Sequence, residues 1–141
     1  MKKIFALFLT TIISLGMNSC DLDDDDSANF HFETLETLSA ELPESFDYGQ
    51  VYRINVDMLR PSDCHYFEGF DYNHTDKTVR TIYPIASVIE RNDCNDLEDS
   101  EMTQYFDFEV RFTDTYTFRF YTGTNEAGED EFIEYEVPVN Q

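Results

Sequence analysis

Basic residues are scarce in this chain. Nine Lys and Arg stand against 30 Asp and Glu, for a formal charge of −21. A nucleic-acid partner needs a cationic stripe that displaces counterions. Arg53, Arg60, Lys77, Arg80, Arg91, Arg111 and Arg119 are instead scattered along the sequence, so no nucleic acid is expected as a partner. Tryptophan is absent, which removes both the core ring of antibody domains and the largest stacking platform for a sugar. Glycine and proline are few, five and four, and no glycine-rich loop suited to phosphate is present. No serine sits in G-x-S-x-G or S-x-x-K, and no histidine in H-E-x-x-H. No catalytic residue is therefore assigned, and the chain is read as a non-enzyme. Carboxylates are abundant, but a glycosidase needs two of them fixed about 5–10 Å apart in a cleft, which abundance does not supply. Long apolar runs are missing too. Residues 4–15 form an apolar stretch too short to cross a hydrocarbon core of about 30 Å as a helix.

That stretch has another use. Met1-Lys2-Lys3 is a positive start, the apolar run follows, and Met17-Asn18-Ser19 leads to Cys20 and then Asp21-Leu22-Asp23-Asp24-Asp25-Asp26. A charged start, a short apolar segment and a cysteine describe a bacterial lipoprotein signal. Residues 1–19 are expected to be removed, Cys20 to be acylated, residues 20–28 to form an acidic tether, and residues 29–141 to form one domain. Acyl chains bury about 0.8 kcal/mol per methylene, enough to outweigh repulsion between this acidic chain and anionic headgroups. The acidic run after the cysteine resembles the export signal of surface lipoproteins in Bacteroidota, which implies an outer-membrane, lipid-anchored protein facing outward. Asp26-Ser27-Ala28 resembles the short O-glycosylation motif of the same bacteria and makes Ser27 a candidate acceptor. Asp21, Asp23 and Asp25 open like a calcium loop, but Asp26 and Phe32 stand where such a loop needs Gly and Glu.

With Cys20 acylated, Cys64 and Cys94 remain as one pair in an oxidising compartment, and a disulfide is expected. The alternative is a metal site from Cys64, His65, His74 and Cys94, which lacks the paired spacings of zinc sites.

From residue 29 onward the apolar period is two. Tyr52, Ile54, Val56 and Met58 alternate with polar neighbours; so do Phe106, Phe108, Val110 and Phe112, then Tyr116, Phe118 and Phe120, then Ile133, Tyr135, Val137 and Val139. Weaker strands are predicted over 31–35, 66–73 and 78–89, with Pro84 marking an edge, a break or a bulge. Residues 123–128 carry turn chemistry, and residues 92–101 form an acidic loop with room for one helical turn. About seven strands predict an all-β, two-sheet antiparallel sandwich, with a small barrel as the alternative. Asp114-Thr115-Tyr116-Thr117-Phe118 resembles the tyrosine corner of immunoglobulin-like domains, which implies that fold and a backward hydrogen bond from Tyr116. The segments around Cys64-His65-Tyr66-Phe67-Glu68-Gly69-Phe70, Arg80-Thr81-Ile82, Arg91-Asn92-Asp93-Cys94 and Glu136-Val137-Pro138-Val139 resemble small flavobacterial lipoproteins, a resemblance that implies a location and a fold but no activity.

The candidate binding residues are Tyr66, Tyr72, Glu68, Asp71 and His74, beside Phe67, Phe70, Asn73 and Tyr83. Tyrosines with carboxylates and amides can stack on a sugar ring and bond its hydroxyls; the competing reading packs these rings into the core of the second sheet. Asp93, Asn95, Asp96, Glu98 and Asp99 offer oxygen ligands for Ca2+, though a solvated loop explains them better. No other cofactor is expected. The predicted role is non-catalytic binding, with a polysaccharide or an envelope protein as partner.

Overall fold

The computed structural model describes residues 29–98 and 100–140. Cys20, Ser27, the signal and tether segments and Asp99 lie outside the described residues. Among the described residues ten strands follow in order: β1 (Phe30–Thr34), β2 (Thr37–Glu41), β3 (Phe46–Asp47), β4 (Val51–Leu59), β5 (His65–His74), β6 (Val79–Ile89), β7 (Glu101–Glu109), β8 (Tyr116–Thr124), β9 (Asp130–Val137) and β10 (Val139–Asn140). Among the described residues there is no helix, so the acidic loop after Arg91 holds turns and a single Ser62–Asp96 bridge instead.

The strands form a two-sheet sandwich that does not close into a barrel. One sheet runs β5-β6-β8-β9, with β1 also on β6; the other runs β2-β4-β7. Period two produces the layers. Ile54, Val56 and Met58 of β4 and Phe108 of β7 meet Ile82 and Ala86 of β6 and Phe118 and Phe120 of β8 in one buried cluster. Most pairings are antiparallel, but β6 and β8 run parallel over Val79–Ile82, because the chain between them passes through the opposite sheet as β7.

Leu35 and Glu36 carry the chain from one sheet to the other. β1 pairs with β6, β2 pairs with β4, and Leu35 between them is 1% exposed. Pro84 sits in the middle of β6, a central strand, where a missing donor would ordinarily be costly. β1 pairs with β6 only from Ile85 onward and β8 only as far as Ile82, so the proline falls in the gap between them, and its carbonyl accepts from Leu35 N–H at 2.8 Å. The turn between β8 and β9 is set by Asn125, whose Oδ1 accepts from the N–H groups of Ala127 and Glu129. Gly128 takes the positive φ of +81° that closes it.

The sandwich is clasped along one side. Ala40 N–H donates to Tyr135 Oη at 3.3 Å across the sheets, and β3 pairs with β10 through Phe46–Val139. The other side is bounded by β5 and β7, the outermost strands of their sheets, and it is open.

Tyr116 is fully buried, and its hydroxyl oxygen accepts backbone N–H bonds from Arg111 at 3.1 Å and Phe112 at 2.9 Å. Phe cannot accept either bond, and unsatisfied buried donors cost roughly 1–3 kcal/mol. Tyr116→Phe is expected to lower unfolding free energy by about 2 kcal/mol in denaturant titration; a loss under 0.5 kcal/mol would show that water replaces the hydroxyl.

Candidate aromatic cleft between two edge strands

The open side holds a cleft of about 520 Å³ lined by Phe70, Tyr72 and His74 of β5, Arg80 of β6, Phe106 to Glu109 of β7, and Arg111. Concave aromatic sites with a few converging polar groups are the usual form of a small-ligand site. The walls are rings: Phe70 and Tyr72 stand 5.3 Å and 6.0 Å from Phe106, and Tyr72 stands 5.1 Å from His74.

The polar groups are mostly paired. Asp107 takes Arg53 at 3.1 Å and Glu109 takes Arg111 at 2.6 Å, and the carboxylate beside it holds the Arg111 guanidinium above its ordinary pKa. Arg80 differs. It is 4% exposed because its place in β6 is in phase with Ile82, Pro84 and Ala86. Its Nη1 donates to the carbonyls of Asp76 and Val79, its Nη2 donates to that of Lys77, and its guanidinium lies 5.2 Å from the Tyr116 ring centre. Burial pushes the Tyr72 phenol up to about 12, against the pull of the Arg80 charge.

The sign of that shift gives a pH prediction. The unfolded phenol ionises near pH 10 and the folded one near 12, so the contribution of this group is full below pH 10 and is lost as pH rises through 12. Because the ring is partly exposed, the loss is on the order of 1 kcal/mol. Tyr72→Phe is expected to flatten the alkaline limb of a stability–pH curve by that amount; an unchanged limb would refute the assignment.

The five candidate binding residues do not converge. Tyr72 and His74 line the cleft, whereas Tyr66, Glu68 and Asp71 lie on the outer face of the same sheet. A β-bulge between Phe67 and Gly69 explains the split: the extra residue reverses the alternation, so Tyr66 and Tyr72, an even number apart, project to opposite sides. Phe67, Phe70 and Tyr72 turn inward against the core. Tyr66 is 43% exposed, and Glu68 accepts from Ser87 Oγ beside a shallow outer pocket with Phe30, Phe32 and Ile89. Asp71 faces Tyr83 across β6.

Comparison with protein-family models, curated proteins and solved structures finds no match.

At the far end of β5, Cys64 and Cys94 are joined at an S–S distance of 2.01 Å. Among the described residues, Asp63, Cys64 and Cys94 form the one group of His, Cys, Asp or Glu residues with converging ligand atoms. Both sulfurs are committed to each other, which removes the four-residue metal site. His74 lies at the other end of the ten-residue strand β5 from His65, roughly 30 Å away at about 3.3 Å per residue. Two of the loop candidates are engaged. Asp93 pairs with Arg91, and Asn95 donates from its backbone and side chain to the Asp63 carboxylate. Those bonds from Asn95 hold Asp63 below the ordinary carboxylate range.

Sequence reading passed over one arrangement. Ser62 Oγ lies 2.7 Å from His65 Nδ1, and His65 Nε2 lies 3.2 Å from Glu33 Oε2, the connectivity of a serine–histidine–acid relay. Ser62 is 6% exposed and its oxygen accepts from Cys64 N–H. The group therefore closes the turn into β5 and ties it to β1, with its hydroxyl turned away from solvent.

Proposed function

We propose that this chain is a lipid-anchored outer-membrane protein displayed on the cell surface, and that its domain captures glycan chains without cleaving them. The observation that carries the binding half of this reading is the cleft between β5 and β7. It joins stacked aromatic walls to carboxylate, guanidinium and imidazole groups, the combination that packs on sugar faces and bonds their hydroxyls. Its lining residues are spaced along two facing edge strands, Phe70, Tyr72 and His74 on β5 and Phe106 to Glu109 on β7, an arrangement that suits a polymer. The surface location is supported by the sequence around Cys20.

The test is calorimetric titration of the full chain, purified from membranes in detergent, with cello-, xylo- and galacturono-oligosaccharides. Saturable binding of at least one is expected. Tyr72→Ala should weaken it about tenfold, the loss of one stacking partner, while Tyr66→Ala, on the outer face, should leave it unchanged. Equal loss in both variants, or no binding by any oligosaccharide, would refute the cleft as a glycan site.

A second reading is favoured by the outer face of the larger sheet. Phe30 and Phe32 are 55% and 65% exposed, and exposed apolar patches mark contact surfaces. An envelope protein seated there should be trapped by cross-linking in intact cells and lost in Phe32→Ser.

A further inference from the structure

We infer that the glycan taken by the cleft is acidic, a polymer of uronate sugars whose carboxylate is received by Arg80. This deepens the glycan reading and rests on it.

The charges of the chain are out of balance. The chain carries 30 acidic residues, and Arg53, Arg111, Lys77 and Arg119 have each found one: Asp107, Glu109, Asp114 and Glu134. Arg80 is the most deeply buried of the cations that line or border the cleft, and it has no carboxylate among the described residues. Its Nη donors meet three backbone carbonyls, the Tyr72 phenol and the Tyr116 ring lie beside its guanidinium, and its Nε–H has no partner among the described residues. Arginine cannot shed its proton at any ordinary pH, so this is a permanent charge held in the protein interior. A buried charge without an opposite one is costly, and in a chain so rich in carboxylates an internal partner would have been easy to supply.

The position of the charge says what completes it. Arg80 lies among the rings of Phe70, Tyr72 and Phe106 that line the same cleft. A ligand that packs an apolar ring face on those aromatics and carries a planar anion matches the walls and the guanidinium together. A uronate has both parts in one residue; a neutral hexose has only the first. The cleft acids do not oppose this, since Asp107 and Glu109 are already neutralised by Arg53 and Arg111. His74 at the mouth adds a donor that a carboxylate can use and a second acid could not.

The discriminating experiment compares oligogalacturonate and oligomannuronate with their methyl esters, which keep the ring and remove the charge. With full chain in detergent, the acids are expected to bind at least tenfold more tightly than the esters, and Arg80→Gln should bring acid binding down to the ester level. Arg80 clasps the turn at residues 76–79, so that variant must first show an unaltered melting curve. Glu109→Gln, on an exposed side chain, releases the Arg111 guanidinium from its carboxylate without touching the clasp and should tighten acid binding about threefold with no change for the esters. Esters that bind as tightly as acids, or a Glu109→Gln variant with an unchanged acid-to-ester ratio, would overturn the inference and leave glycan capture standing. Failure of acids, esters and neutral oligosaccharides alike would remove both.

Discussion

Phe118→Ala is expected to lower the unfolding free energy by about 4 kcal/mol, within the 3–5 kcal/mol typical of a buried phenylalanine truncated in a core that cannot collapse around the loss. Phe118 is fully buried and stands at the junction of the two sheets. Its ring centre is 5.0 Å from Phe108 and 5.9 Å from Phe46, with Tyr116 and Phe120 of its own strand at 6.2 Å and 6.3 Å. Four rings thus lose a neighbour at once. Every one of them is pinned by strand pairing, so the void stays open and lost dispersion adds to lost transfer energy. The denaturation midpoint should fall with an unchanged slope, and the melting temperature should drop by about 15 °C. Phe132→Ala is the control. That ring lies half-buried on the outer face under Arg119, 4.3 Å from its guanidinium, and its removal should cost about 1 kcal/mol. Equal losses from the two variants would mean that the rings between the sheets do not form the main core.

Much of this core could be read from the period of two, for a physical reason. β4, β8 and β9 each bury one face, so their apolar residues recur at alternate positions. β2 lacked that signal: it buries Thr37 and Ala40, and a register shift between Thr37 and Ser39 breaks its alternation. β7 shows the opposite failure. Its alternation continues in sequence through Val110 to Phe112, yet pairing with β4 stops at Glu109. Val110 turns instead to exchange hydrogen bonds with Gly49 and Gln50, and Phe112 is left 37% exposed with Lys77 Nζ 5.3 Å from its ring centre.

The cleft was half legible. Tyr72 and His74 share one face of β5 by simple alternation, but the bulge at Phe67–Gly69 has no unambiguous mark in sequence, so sequence spacing groups Tyr66, Glu68 and Asp71 with them. Phe106 was legible only as core, because nothing local says that the sandwich is clasped at β2–β9 and open at β5–β7. That depends on Ala40 meeting Tyr135, 95 positions apart. Arg80 did carry a signal: it is a cation in phase with the buried face of a strand, and such a residue must find a counterpart or a ligand.

Removing the Cys64–Cys94 bond, by Cys64→Ala with Cys94→Ala, is expected to cost about 3.5 kcal/mol. The two cysteines are 30 residues apart, and the closed loop contains all of β5 and β6. On the chain-entropy account, a link of that span removes about this much freedom from the unfolded ensemble. Native contacts should not make up the difference, although the corner has several. Asp63 N–H donates to the Asn95 carbonyl, Leu97 N–H donates to that of Pro61, and Arg60 donates to the carbonyls of Asp63 and His65. These bonds exist only in the folded chain, whereas the cross-link acts on the unfolded one, so the variant should keep its native spectrum and lose midpoint. Hydrogen exchange locates the effect. Amides of residues 62–64 and 94–97 should open faster than the global unfolding rate, while those shared by β4 and β7 should follow it. A loss under 1 kcal/mol would mean that the unfolded chain is already compact around this corner and that the hydrogen bonds alone fix the entry into β5.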